Sequence, residues 1–159
     1  MPKLFIPENF CIPDNLITEN ILIRKLTIHD LIKDYEAVMS SVDHLMGTFG
    51  PGDDWPKDLT LEENLVDLGW HQKEFELRKS FTYTIMSLDE SKCLGAIYIN
   101  PSKKQAYDAE AVMWVRQSEL KKNLDRIIFS KLKEWLCTRW NFSNVAYPGR
   151  EIPWNEWQN

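Results

Sequence analysis

Two stretches of this chain bring together residues able to do chemistry. The first, "AEAVMWVRQSELKKNL" over residues 109–124, runs from an apolar, strand-like segment into a charged turn and then a helix. A helix that starts just after a strand is a ready anion site, because its unpaired N–H groups and its dipole point outward. Lys121 and Lys122 add positive charge there, but the stretch contains no glycine, and side chains obstruct the approach of a phosphate to backbone amides. The same residues also read as a plain helix start: Ser118 or Asn123 as cap, Glu119 and Asp125 in the first turn, and two solvated lysines. Glu110 shares a strand face with Val112 and Trp114, so burial beside aromatic groups would raise its pKa towards a range useful for proton transfer; on an open face it is a surface carboxylate.

The second stretch is "GTFGPGDDWP", residues 47–56, whose three glycines and two prolines forbid regular structure. Asp53 and Asp54 beside Trp55 suit a cationic amine through charge and aromatic contact, and caps or solvated loop charges account for them equally well.

Other chemistries are poorly supplied. Cys11, Cys93 and Cys137 show no Cys-x-x-Cys spacing and read as reduced, mostly buried thiols. His44 and His71 lack ligand partners at useful spacing, so no metal is expected, and no Gly-x-Ser-x-Gly elbow exists. With 19 basic against 24 acidic residues, the balance of −5 argues against nucleic acid as a partner. The opening "MPKLFIPENF" is broken by prolines and a glutamate before an apolar core could form, and no later stretch reaches the roughly 18 apolar residues of a membrane span. A cytoplasmic protein with no membrane partner is the expectation.

The elements that must position these residues follow from periodicity. The 159 residues suit one domain, 1–159, with an extended, proline-broken segment at 1–20. "NILIRKLT" reads as a strand, Thr27 and Asp30 as a capping box, and Leu31, Tyr35, Val38, Met39 and Val42 as one helical stripe. After the glycine-rich loop, Thr60 and Glu63 form a second capping box, and Leu61, Leu65, Leu68 and Phe75 predict the apolar face of the next helix. "FTYTIM", "CLGAIYI" and "AEAVMWV" alternate as an antiparallel meander; a helix carrying Leu124, Ile128, Leu132 and Leu136 follows, and "NVAY" makes a last short strand. The Trp-rich tail, residues 148–159, either packs back on the sheet or covers a partner's edge. The fold class is α+β (mixed α/β): a central, mostly antiparallel sheet flanked by helices.

Strand, two helices, three-strand meander, long helix and further strand is an order that resembles the GNAT N-acetyltransferase fold over about residues 20–147, with weight on "LIRKLTIHD", "CLGAIYI" and "AEAVMWVRQSEL". "DWPKDLTLEENL" and "AYPGREIPWNEW" are similar to segments of uncharacterised bacterial GNAT-like proteins. The resemblance implies an acyl-CoA-dependent N-acyltransferase acting on a small amine, with acetyl-CoA lying where the fourth and fifth strands splay. It places Met113, Trp114 and Val115 against the pantetheine arm, and Arg116, Ser118, Lys121, Lys122 and Asn123 around the pyrophosphate. Glu110 or Asp108 would be the base, Tyr147 the nearest acid, and Asp53, Asp54 and Trp55 would border the acceptor. The family's pyrophosphate motif, Arg or Gln, two residues, Gly, one residue, then Gly or Ala, is degenerate here. One register puts Glu119 and Lys121 at the small positions, the next Leu120 and Lys122. The 12 residues after Tyr147 fall short of the family's closing helix and hairpin, so the C-terminal part is expected to be shortened. The alternatives are a non-catalytic GNAT-like module that has lost CoA binding, and a homodimer formed through the last strand and tail.

Overall fold

The computed structural model describes residues 4–159. Its strands are β1 (Asn15–Ile17), β2 (Ile21–Lys25), β3 (Phe81–Ser87), β4 (Cys93–Pro101), β5 (Ala109–Val115) and β6 (Val145–Ala146). They form one sheet in that order, antiparallel from β1 to β5, with β6 parallel to β5. The helices are α1 (Leu31–Met39), α2 (Val42–Leu45), α3 (Leu61–Glu76), α4 (Leu124–Thr138) and α5 (Trp154–Trp157).

Both capping boxes form. Thr60 Oγ1 accepts from the Glu63 N–H at 3.1 Å while Glu63 accepts from the Thr60 N–H at 3.0 Å. At the other start, Asp30 accepts from the Thr27 N–H at 2.9 Å and opens a short 3-10 turn, Ile28–Asp30, ahead of α1. The stripe predicted through Val42 does not hold as one helix. Ser40 and Ser41 both turn their hydroxyls back onto the Ala37 carbonyl at 2.9 Å, and such back-bonding competes with the helical ladder, so α1 stops at Met39 and α2 starts afresh.

Alternation along the meander gives the sheet two packed faces. Phe81, Tyr83, Ile97, Ile99, Ala111 and Met113 face α4 and meet Ile128, Leu132, Trp135 and Leu136. Met86, Cys93, Ala96 and Trp114 face Ala37, Val38 and Leu45 of the first two helices. Helix α3 keeps part of its predicted stripe inward: Leu68 is buried and Phe75 packs on the core, but Leu61 and Leu65 are exposed and Asn64 is buried in their stead. Polar Asn64 takes an inward position because its amide donates to the buried Asp34 carboxylate at 2.9 Å.

The tail packs on its own chain. Trp157 is buried against Tyr107, their rings 5.6 Å apart, with Lys104 Nζ 5.0 Å from the Trp157 ring centroid. Gly149 has φ +81°, and a Cβ there would collide with the Trp154 ring, so the turn that folds the tail back requires glycine. No helix among the described residues is long and apolar enough to cross a membrane.

Candidate functional site

Strands β5 and β6 part after two residue pairs, Ala109 with Val145 and Glu110 with Ala146. Beyond them lies a cleft of about 230 Å³ walled by Val112 and Met113 on one side and Pro148, Gly149, Arg150 and Trp154 on the other, with Gly47 and Thr48 at its end. Arg150 reaches across it. Its guanidinium donates to the Met113 carbonyl at 3.3 Å and to both oxygens of Asp125 at 2.8 Å, and stands 4.9 Å from the Phe129 ring centroid. One side chain thus holds the exposed edge of β5 and neutralises the carboxylate in the first turn of α4.

The turn after β5 is already heavily bonded. Arg116 is buried, and its guanidinium donates to both Glu36 oxygens at 2.7 Å, to the Cys93 carbonyl at 3.0 Å and to Ser118 Oγ at 3.1 Å. The Gln117 N–H is spent on Ser41 Oγ at 2.9 Å. A 3-10 turn, Gln117–Lys122, leads into Asn123, whose φ of 58° is the left-handed angle that a glycine would take at lower cost. Glu119 is buried with Lys122 Nζ 3.5 Å from it, while Ser118, Lys121, Lys122 and Asn123 are exposed. Of the residues expected against a pantetheine arm, Met113 and Val115 turn their side chains towards α4, and Trp114 turns the other way, its Nε1–H donating to the Tyr98 hydroxyl at 3.0 Å. His44, given no ligand role from the sequence, has its Nε2 3.1 Å from the Val115 carbonyl.

The three candidates for proton transfer separate. Asp108 accepts from the Ser143 and Asn144 N–H groups at 2.6 and 3.1 Å, clamping the loop before β6. Glu110 pairs in register with Asn100 on the sheet face that carries Tyr98 and Trp114. It is half-buried, and one of its carboxylate oxygens is buried without a hydrogen-bond partner among the described residues. Burial pushes its carboxyl above the usual range, partly offset by Lys103. Tyr147 lies under α4, its ring 5.2 Å from that of Phe129, and burial holds its hydroxyl protonated well past the ordinary tyrosine range. Glu110 and Tyr147 therefore sit on opposite faces of the sheet.

A second cavity, about 280 Å³, lies on the Glu110 face between α1, α3 and the glycine-rich loop. Trp55 and Phe49 cover it, Tyr98 and His71 wall it, and Asp34 and Asn64 meet at its floor. Asp34 is 4% exposed and accepts from Asn64 Nδ2 at 2.9 Å; burial pushes its carboxyl up to about 6. Burial pushes the His71 imidazole down, favouring its neutral form, and its Nδ1 lies 3.2 Å from Thr82 Oγ1. Of the predicted acceptor residues, only Trp55 lines this cavity; Asp53 accepts from the Trp55 N–H at 3.4 Å, and Asp54 is exposed on a groove outside. The sequence did carry a signal for Asp34: it stands three residues after Leu31 and four before Val38, a charge inside an apolar stripe. No group of three or more metal-ligating side chains occurs among the described residues.

The meander, the lone parallel pair at β5 and β6 and the cleft beside it define the GNAT acetyltransferase fold, and this chain has that fold. No protein-family model matches the sequence, and no curated protein matches it. Among solved structures the chain is similar to the ribosomal-protein-S5-alanine acetyltransferase from Vibrio fischeri, with a TM-score of 0.59 and 13% identity over 77% of this chain and 66% of that one. It is similar to a probable acetyltransferase at a TM-score of 0.61 and 17% identity, covering 84% and 72% of the two chains. It is also similar to the microcin C7 self-immunity acetyltransferase MccE, solved with acetyl-CoA and AMP, at a TM-score of 0.60 and 13% identity over 78% and 67%. The match spans just under two-thirds of the Vibrio fischeri enzyme's length. Likeness at these identities establishes the fold.

Proposed function

We propose that this chain is an acyl-CoA-dependent N-acyltransferase that uses acetyl-CoA and acts on a small amine. The observation that carries the reading is the cleft between β5 and β6, which leaves the backbone edge of β5 beyond its two paired residues facing an opening beside the start of α4. Strand-edge amides and carbonyls suit an amide-bearing arm, and Lys121 and Lys122, exposed on the following turn, suit phosphate charge. The framework therefore fits acetyl-CoA once Arg150 leaves the Met113 carbonyl. Bound there, acetyl-CoA supplies an acyl group activated as a thioester.

The chain's own residues supply the rest. Glu110, with its raised carboxyl and an unengaged oxygen, is placed to take the proton of an incoming ammonium. The Tyr98 hydroxyl holds a proton on the same face, oriented by the Trp114 N–H. Asp108 positions the loop ahead of β6, and the cover of Trp55 and Phe49 limits the access of water.

One observation favours a second reading, a non-catalytic GNAT-fold module: Arg150 occupies the cleft and is held there by Asp125 and Phe129. Calorimetric titration with acetyl-CoA separates the two. The acyltransferase reading expects binding by the wild-type chain and about tenfold tighter binding by Arg150→Ala, because a self-occluded site loses affinity in proportion to its closed fraction. No heat from either protein at millimolar acetyl-CoA would leave the non-catalytic reading standing.

A further inference from the structure

We propose that the cavity beneath Trp55 is a binding site for a compact organic cation, a primary ammonium on a single ring or short chain, held by Asp34. The chain treats two neighbouring carboxylates differently. Asp30 is buried and receives both terminal nitrogens of Arg24, at 2.7 and 3.1 Å. Asp34, one helical turn on, is buried to the same degree but among the described residues receives only the neutral Asn64 amide. A buried carboxylate without a counter-charge is costly, and interiors ordinarily pair it or do without it. Among the described residues no lysine or arginine lines the cavity, while Asp67 adds a second acidic group at its exposed rim. The site is a negative hollow prepared for a charge that the chain does not provide.

The walls agree with that sign. The Phe49 ring stands at 67° to Trp55 and 79° to Tyr98, with ring centroids 5.3 and 5.1 Å away, and His71 lies 5.3 Å from Tyr98. Ring faces attract a cation and repel an anion, and do so most strongly where water is excluded. The size selects further. A dry cavity of about 150 Å³ accepts benzene, so about 280 Å³ leaves room for one ring or a short chain together with its ammonium head and a water. Entry runs past Trp55 and Asp67, which also line the outer groove with Asp54, Lys57 and Glu63.

This assignment deepens the acyltransferase reading, on which the cation's role as acceptor rests; binding of the cation does not depend on it. Glu110 lies on the same face, paired in register with Asn100, which lines the cavity. An amine released from Asp34 therefore has a proton acceptor on the sheet face it already occupies.

The test uses benzylammonium as probe and benzyl alcohol as its uncharged counterpart, titrated at pH 8 into the full chain without acetyl-CoA and followed by calorimetry and tryptophan fluorescence. Benzylammonium should bind at least about tenfold more tightly than the alcohol, and Asp34→Asn should remove that preference while leaving the weak alcohol binding in place. Trp55→Ala, which keeps both carboxylates, should weaken the cation and abolish its fluorescence response. Equal affinity for both probes, or cation binding unchanged in Asp34→Asn shown to be folded by circular dichroism, would overturn the assignment. Cation binding without any response to acetyl-CoA would support the cavity while removing the acyltransferase reading; acetyl-CoA binding without cation binding would do the reverse.

Discussion

Replacing Asp34 by asparagine keeps the acceptor oxygen to which Asn64 donates and removes only the charge. Burial raises this carboxyl from 3.8 to about 6. Below about pH 4 the group is protonated in folded and unfolded chains alike, and its neutral form suits the cavity. Between about pH 4 and 6 the unfolded chain gives up the proton while the folded chain keeps it, so the unfolded state binds fewer protons and stability falls as pH rises. Above about pH 6 that contribution is lost. A gap of about 2 pH units at 1.36 kcal/mol each amounts to roughly 3 kcal/mol. Asparagine does not titrate, so Asp34→Asn should match the wild type near pH 4 and exceed it by up to about 3 kcal/mol at pH 8. For a chain of this size that is roughly 6–12 °C in Tm, well within the reach of scanning calorimetry. A variant no more stable than wild type at pH 8 would refute the claim that the chain retains an uncompensated charge there. A saturating cation should raise the wild-type Tm and leave that of the variant nearly still.

Three further outcomes follow from the geometry. Gly149→Ala forces an L-residue to φ +81° against the Trp154 ring and should release the tail, exposing residues 150–157 to limited proteolysis while the main thermal transition moves little; a tail as protected as in wild type would count against its anchoring role. Arg116→Ala strips a buried guanidinium from Glu36 and the Cys93 carbonyl and should cost about 2–4 kcal/mol in urea unfolding, since the Cys93 carbonyl loses a buried donor; a loss under 1 kcal/mol would show that the turn is held elsewhere. If acetyl transfer is observed, its rate should climb as pH rises through the raised Glu110 carboxyl, and Glu110→Gln should flatten that limb; an unchanged profile would remove Glu110 as base.

The sheet and the capping boxes were legible because each rests on local chemistry. "FTYTIM", "CLGAIYI" and "AEAVMWV" are short runs rich in apolar, β-branched and aromatic residues bounded by turn segments, and each threonine cap finds its acid three residues on. The sequence misled where polar groups serve the interior. Of the stripe predicted for α3, Leu61 and Leu65 are left in solvent while Leu68 and Phe75 pack inward, because Asn64 and His71 share the inner face with them. Ser40 and Ser41 break the predicted helical stripe by bonding back to Ala37, and Ser41 also accepts from the Gln117 N–H. The degenerate turn after β5 was visible as missing glycines, but its physical meaning was not. Arg116 is a strut to Glu36, Asn123 adopts the glycine-like angle, and Arg150, 34 residues on from Arg116, fills the cleft. Contacts over such separations leave no periodicity to read.

The bonds from the first two helices to the end of β5 also set up mechanical reciprocity. Glu36 grips Arg116, Ser41 grips Gln117, and His44 meets the Val115 carbonyl, while Asp34 sits half a turn from Glu36 on the same helix. Helix α1 is thus a lever with the cation hollow on one side and the strand-end turn on the other. Whatever factor an occupant of the hollow imposes on binding at the turn, an occupant of the turn must impose on the hollow.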